Sequence, residues 1–144
     1  MLNLIKAVNK KFMIFAAMLI VPTMVFAGDV LTCKPVVSSG DSVIEVVNNI
    51  EYTGSISAIA VKVDLPDGVE FVSSGGDAYP AVSPRKGDTG LLEFAWVMPP
   101  SSPFTFVYTV NVDKEAQGEI YSQVVYRRAA GALVTEIDPI NVGQ

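Results

Sequence analysis

Val61-Lys62-Val63-Asp64-Leu65-Pro66-Asp67-Gly68-Val69-Glu70-Phe71-Val72-Ser73-Ser74 decides the fold. Its first half closes a run from Ala58 to Leu65 in which Ile59, Val61, Val63 and Leu65 alternate with Ala58, Ala60, Lys62 and Asp64. A period of two places the first four on one face, the pattern of a half-buried strand. Pro66-Asp67-Gly68 stops that strand: proline presets one φ, aspartate bonds its own backbone, and glycine accepts a positive φ. Alternation resumes at once in Val69–Ser73, so the stretch reads strand, tight turn, strand.

The same period recurs on both sides of it. Ser42–Tyr52 offers Ile44, Val46, Asn48, Ile50 and Tyr52 to one face, with Glu45, Asn49 and Glu51 opposite. Leu91–Met98 offers Leu92, Phe94, Trp96 and Met98, and Pro103–Val112 offers Phe104, Phe106, Tyr108, Val110 and Val112. These two runs carry most of the bulky aromatic core, and Phe94, Trp96, Phe106 and Tyr108 are expected to be structural. Gly118–Arg128 turns Ile120, Val124 and Tyr126 inward, and Ala132–Ile140 turns in Leu133 and Ile137. A first strand around Val30–Val37 brings the expected number to seven or eight. No window from Gly28 onward has a helical period, and Asp113–Gly118 makes one turn at most. Short strands without crossover helices predict an all-β, two-sheet antiparallel sandwich with immunoglobulin-like Greek-key connections.

Ahead of this lies a different composition. Lys6, Lys10 and Lys11 precede an apolar run from Phe12 to Phe26, and Val25-Phe26-Ala27 closes it as an A-x-A-like cleavage site before Gly28. The run is short for a membrane span and Pro22 interrupts it, so residues 1–27 read as a signal-peptide helix and not as an anchor. Cleavage there leaves a single domain, residues 28–144, working outside the cytoplasm at the cell surface or in the periplasm, with no membrane insertion. All fifteen acidic residues and seven of the ten basic ones fall in this part, a net charge of −8. Such a surface repels phosphate backbones, and Arg127-Arg128 stands alone, so nucleic acid is not an expected partner.

The residue inventory also narrows the chemistry. The chain has no histidine, which removes most nucleophile–base pairs and most zinc sites. Gly54-Ser55-Ile56-Ser57-Ala58 grazes a nucleophile elbow but leads into a strand where a helix is required. Glu45, Glu51, Glu93 and Glu119 sit on polar strand faces, where solvated charge keeps a sheet soluble, so paired-carboxylate glycoside hydrolysis is not expected. The chain therefore reads as no enzyme and as needing no cofactor. Calcium is the lesser alternative: Asp77 and Asp88 share a loop and Asp64 and Asp67 flank a turn, yet no D-x-D-x-D-G loop is present. Cys33 is the sole cysteine, which excludes an intrachain disulfide and leaves either an inert buried thiol or an intermolecular bond.

Binding surface is expected on the longest irregular segment, Ser73–Gly90, with Gly75-Gly76, Pro80, Pro84, Gly87 and Gly90 and a short edge strand at Ala81–Ser83. Its Tyr79, Arg85 and Lys86, together with Tyr121 on the outward parity of its strand, are the candidate binding residues. Sugars stack on exposed rings, so Tyr79 and Tyr121 are also the candidates for a carbohydrate platform.

The order of landmarks resembles the immunoglobulin-like sandwich repeats of prokaryotic surface proteins that carry an L-P-x-G signature. The residues concerned are Gly40-Asp41, Tyr52-Thr53-Gly54, the Val61–Ser74 stretch with Pro66 and Gly68, Gly90–Trp96, Tyr108–Val112 and Gly118. Cohesin-like and carbohydrate-binding sandwiches have a similar layout. The resemblance, over Ser39–Tyr126, implies a spacer or adhesive role with a protein or polysaccharide of the cell envelope as partner. It departs from the family in being one module where members occur in tandem.

Overall fold

The computed structural model describes residues 28–143. Residues 1–27, read from the sequence as a signal peptide, and Gln144 lie outside the described residues. Eight strands follow in order: β1 (Leu31–Ser39), β2 (Val43–Tyr52), β3 (Ala58–Asp64), β4 (Val69–Gly76), β5 (Leu91–Trp96), β6 (Phe104–Val112), β7 (Gly118–Arg128) and β8 (Gly131–Val142). They form two four-stranded sheets, β1-β2-β6-β4 and β5-β3-β7-β8, with every pairing antiparallel. With β5 set aside, the remaining seven strands follow the ABED/CFG order of a constant-type immunoglobulin sandwich. β5 is an added strand between the fourth and fifth of that series, and it lies against the outer edge of β3.

The Leu65–Val69 connection forms for the reasons its residues suggest. The Val69 amide donates to the Pro66 carbonyl at 3.3 Å, and Gly68 has φ +83°. A Cβ at Gly68 would also stand 3.0 Å from the Cβ of Ala116, so the position requires glycine twice over, for its φ and for close approach. Ala116 is buried in the Asp113–Gly118 turn and closes that end of the core.

Inward residues of both sheets meet in one hydrophobic core, and its aromatic members other than Tyr126 of β7 gather at β4, β5 and β6. Phe94 contacts Phe71 edge-on at 5.6 Å between ring centroids and Phe106 at 4.7 Å. Trp96 stands perpendicular to Phe106 at 5.2 Å and edge-on to Phe104 at 5.7 Å. The Trp96 indole N–H donates to the Ala78 carbonyl at 3.2 Å, so this large ring is buried with its polar atom satisfied.

Two inward assignments are corrected. Met98 is 79% exposed, because β5 ends at Trp96 and the chain turns away toward Pro99-Pro100. Leu133 is 44% exposed, because it sits near the turn of the β7–β8 hairpin on a sheet-edge strand with no neighbour on its outer side. β4 also runs three residues further than the sequence pattern indicates, to Gly76, across a register shift between Phe71 and Ser73.

Candidate functional site

A sandwich of two open sheets has two flanks, and here they are built differently. On one flank the outer edges of β4 and β5 face each other, and Asp77–Gly90 closes both. The Phe71 amide donates to the Asp88 carbonyl at 2.8 Å and the Phe71 carbonyl accepts from the Gly87 amide at 2.8 Å, which covers β4. Val82 and Ala95 exchange two backbone bonds of 3.0 Å, which covers β5 and places the short edge strand where the sequence suggested it. Both loop aspartates serve this arrangement. Asp77 accepts from the Thr105 amide at 2.8 Å and Asp88 from the Arg85 amide at 2.7 Å. The segment is thus an edge cover held by backbone bonds. Arg85 and Lys86 project from its exposed turn.

On the other flank β1 and β8 lie side by side, each the last strand of its sheet, with no ladder between them. The Thr135 hydroxyl donates to the Leu31 carbonyl at 3.4 Å, and Arg128 pairs with Asp29 at 3.7 Å. Ser39 and Asn141 line one depression at the far end, so the two strands run in parallel. Edge strands are normally guarded by charge or proline. Glu136, Asp138 and Pro139 guard the later half of β8, and Lys34 and Pro35 guard the middle of β1. The first half of β8, Gly131–Thr135, has neither. Gly28–Val30 precedes the Leu31 contact on this flank, with Asp29 held by Arg128 opposite Gly131, and the adjacent Leu133 and Val134 (53% exposed) present side chains to solvent.

Tyr79 and Tyr121 are both exposed, at 78% and 54%, but they are not brought together. Tyr79 follows Ala78, the acceptor for Trp96 at one end of β5, whereas Tyr121 lies across Asp64 from Leu91 at the other. The two ends are roughly 17 Å apart along the strand. Tyr121 sits at a register shift in β7 and donates its hydroxyl to Glu119, which raises its pKa. It lines a shallow depression of about 230 Å³ on the outer face of its sheet with Lys62, Asp64, Leu91, Gln123 and Glu136.

The glutamates weighed for acid–base chemistry lie on two different sheets. Glu45, Glu51 and Glu93 are exposed on outward faces, and Glu119 is taken up with Tyr121. Among the described residues no group of three or more Cys, Asp and Glu side chains could hold a metal ion. Cys33 faces inward from β1, and burial pushes its thiol up to about 12, far above the range of a reactive thiolate.

The unguarded half-edge escaped the sequence reading because period-two alternation assigns faces, not neighbours. What signal existed was the charge-free Ala129–Thr135 run, without proline, beside the charged and proline-containing Glu136–Pro139.

No family model matches the chain, and no curated protein matches it. Among solved structures it is similar to a DUF4466 family protein from Parabacteroides merdae ATCC 43184, at 13% sequence identity and a TM-score of 0.48 over 78% of this chain. The chain spans 44% of the length of that protein.

Proposed function

We propose that this chain is an exported, non-enzymatic protein-binding module of the cell surface or periplasm, which takes an extended segment of a partner by strand addition at Gly131–Thr135. The observation that carries this reading is the contrast between edges: one flank is covered by its own chain, and the other ends in a half-strand without charge or proline. An extended peptide laid there would gain main-chain hydrogen bonds from the edge and side-chain contact with Leu133 or Val134. Export rests on the charged, apolar and small-residue order of residues 1–27, and it requires Gly28 at the N-terminus of the exported protein by intact mass. With its Leu-Pro-Asp-Gly turn, the chain fits the immunoglobulin-like modules of prokaryotic surface proteins, with a cell-envelope protein as partner.

Crosslinking on cells tests the reading. A Leu133→Lys/Val134→Glu double variant should fold as the wild type does and lose its crosslinked partner, while Val82→Lys on the covered flank should retain it. Equal recovery of all three proteins defeats strand addition at β8. Retention on insoluble polysaccharide that disappears in Tyr121→Ala would establish sugar binding in its place, through the Tyr121 depression alone. Turnover of a polysaccharide, ester or peptide would overturn both.

A further inference from the structure

The outward face of the β5-β3-β7-β8 sheet is not polar throughout. The strand pairings set Ala95 opposite Ala60, Ala60 opposite Val125 and Val125 opposite Val134, and the bridge from Val82 to Ala95 carries the line onto the edge cover. One apolar row thus crosses the whole sheet. It is outward by parity, because the lines before and after it along the strands, Phe94-Val61-Val124 and Trp96-Ile59-Tyr126, are the buried ones. Val82 and Val134, at its two ends, are 54% and 53% exposed. An antiparallel sheet with one face on the core normally turns polar residues to water on the other. The first sheet comes nearer to that pattern: its shorter line Val36-Val47-Val107 lies between Lys34-Asn49-Thr105 and Ser38-Glu45-Thr109.

The two borders of the Val82–Val134 row differ in charge. On one side stand Glu93, Lys62, Gln123 and Glu136, with an excess of negative charge, and on the other Ala58, Arg127 and Ala132, with positive charge alone. Among the described residues neither Arg127 nor Glu136 has an ion-pair partner. We propose that a second copy of this chain packs on this face, the two sheets stacking about a two-fold axis that runs along the row. That axis lays the positive border of each copy on the negative border of the other. Arg127 and Gln123 lie two residues from Val125 in opposite directions, so Arg127 of one copy comes over Gln123 of the other, with Glu136 on the adjoining strand. Ala60 and Ala95 are small enough for two sheets to approach to the ~10 Å of stacked sheets. With its borders the face measures about 24 Å across five strands and about 20 Å along them, roughly 480 Å² in plane. That is the scale of a weak specific interface, which buries less than about 1,200 Å² in total. The contact does not use the backbone edge of β8, so it stands apart from the strand-addition reading.

Sedimentation velocity at rising protein concentration tests it. The wild type should show a monomer–dimer equilibrium. Val125→Glu, in the middle of the row, should leave a monomer at every concentration, whereas Val47→Glu, at the matching place on the first sheet, should dimerise as the wild type does. Arg127→Glu should weaken the dimer several-fold, because the two-fold axis repeats the lost pair, and Arg127→Glu/Glu136→Arg should restore it. Both positions of this charge reversal are exposed, so the test survives if Val125→Glu fails to fold. A wild type that stays monomeric up to its solubility limit overturns the proposal, and so does a dimer that survives Val125→Glu. Loss of the dimer in Val47→Glu would place the contact on the first sheet, and loss in Leu133→Lys would place it at the β8 edge; either overturns it. Failure of the reversed charges to restore the dimer overturns the two-fold arrangement.

Discussion

The flank at β4, β5 and β6 and the flank at β1 and β8 belong to one sandwich but are held by different physics. The first is built of Phe71, Phe94, Trp96, Phe104 and Phe106, large rings in edge contact, with the Trp96 N–H bonded and both strand edges covered by Asp77–Gly90. To the second, β1 and β8 contribute the smaller buried residues Leu31, Ile137 and Val142, the half-buried Cys33 donates to the buried Asn48, and its edges stand unpaired. Stability and openness are thereby separated. The aromatic side supplies the burial that a domain without a disulfide must have, and the polar side leaves the edges of β1 and β8 without a ladder between them.

Truncation should show the contrast at its largest. Trp96→Ala is expected to cost about 3–5 kcal/mol in denaturant unfolding, since it empties the aromatic flank and strands the Ala78 carbonyl. Leu31→Ala, on the polar flank, should fall near the lower end of the ~2–5 kcal/mol seen for such changes. Equal costs would mean that the two flanks are packed alike.

Backbone strain comes next. Gly68→Val forces a β-branched residue to φ +83° and against Ala116, so it should destabilise by about 1–3 kcal/mol. A variant as stable as the wild type would show that the turn rearranges freely.

Alkaline pH should act through two buried groups, Cys33 and Tyr108. Burial raises the Cys33 thiol from 9.0 to about 12 and the Tyr108 phenol from 10.0 to about 12. Both groups are neutral in folded and unfolded chains below about pH 8, so neither makes stability depend on pH there. Above it the unfolded chain loses protons that the folded one keeps, and stability falls as pH rises toward 12. Cys33→Ala should remove the part of this decline that begins near pH 9, and Tyr108→Phe the part that begins near pH 10. Urea midpoints across that range check both. The same buried thiol should resist alkylation at pH 8 until β1 opens.

The smallest effect on stability is expected at the unguarded edge. Leu133→Lys should change stability by no more than ~0.5 kcal/mol, the range of exposed positions, while abolishing partner capture. A large loss of stability would mean that Leu133 is core after all, and would break the division between a packed flank and an open one.

All eight strands were legible from residues, because alternation such as Ile59-x-Val61-x-Val63 carries both the element and its buried face. Met98 and Leu133 were misread for a shared reason. A period continues on paper past the point where a partner sheet ends, and both residues lie at such ends. The candidate site was hardly legible. Tyr79 and Tyr121 share exposure and composition, and only the register of β5, β3 and β7 sets them at opposite ends of a sheet.

Local chemistry by itself determined that this chain makes strands, that Pro66-Asp67-Gly68 turns between two of them, that the aromatic residues of β5 and β6 face inward, and that no histidine is available. These follow from backbone preferences and the period of a pleated strand, which act over a few residues. Only the tertiary structure decided which edges are covered and which outward residues share one row. Asp77–Gly90 reads as a loop until its bonds to Phe71 and Ala95 make it an edge cover, and Ala60, Ala95, Val125 and Val134 read as unrelated residues until the strand pairings align them. Hydrogen bonds between segments distant in sequence depend on strand order and register, and neither is encoded in the alternation of any one strand.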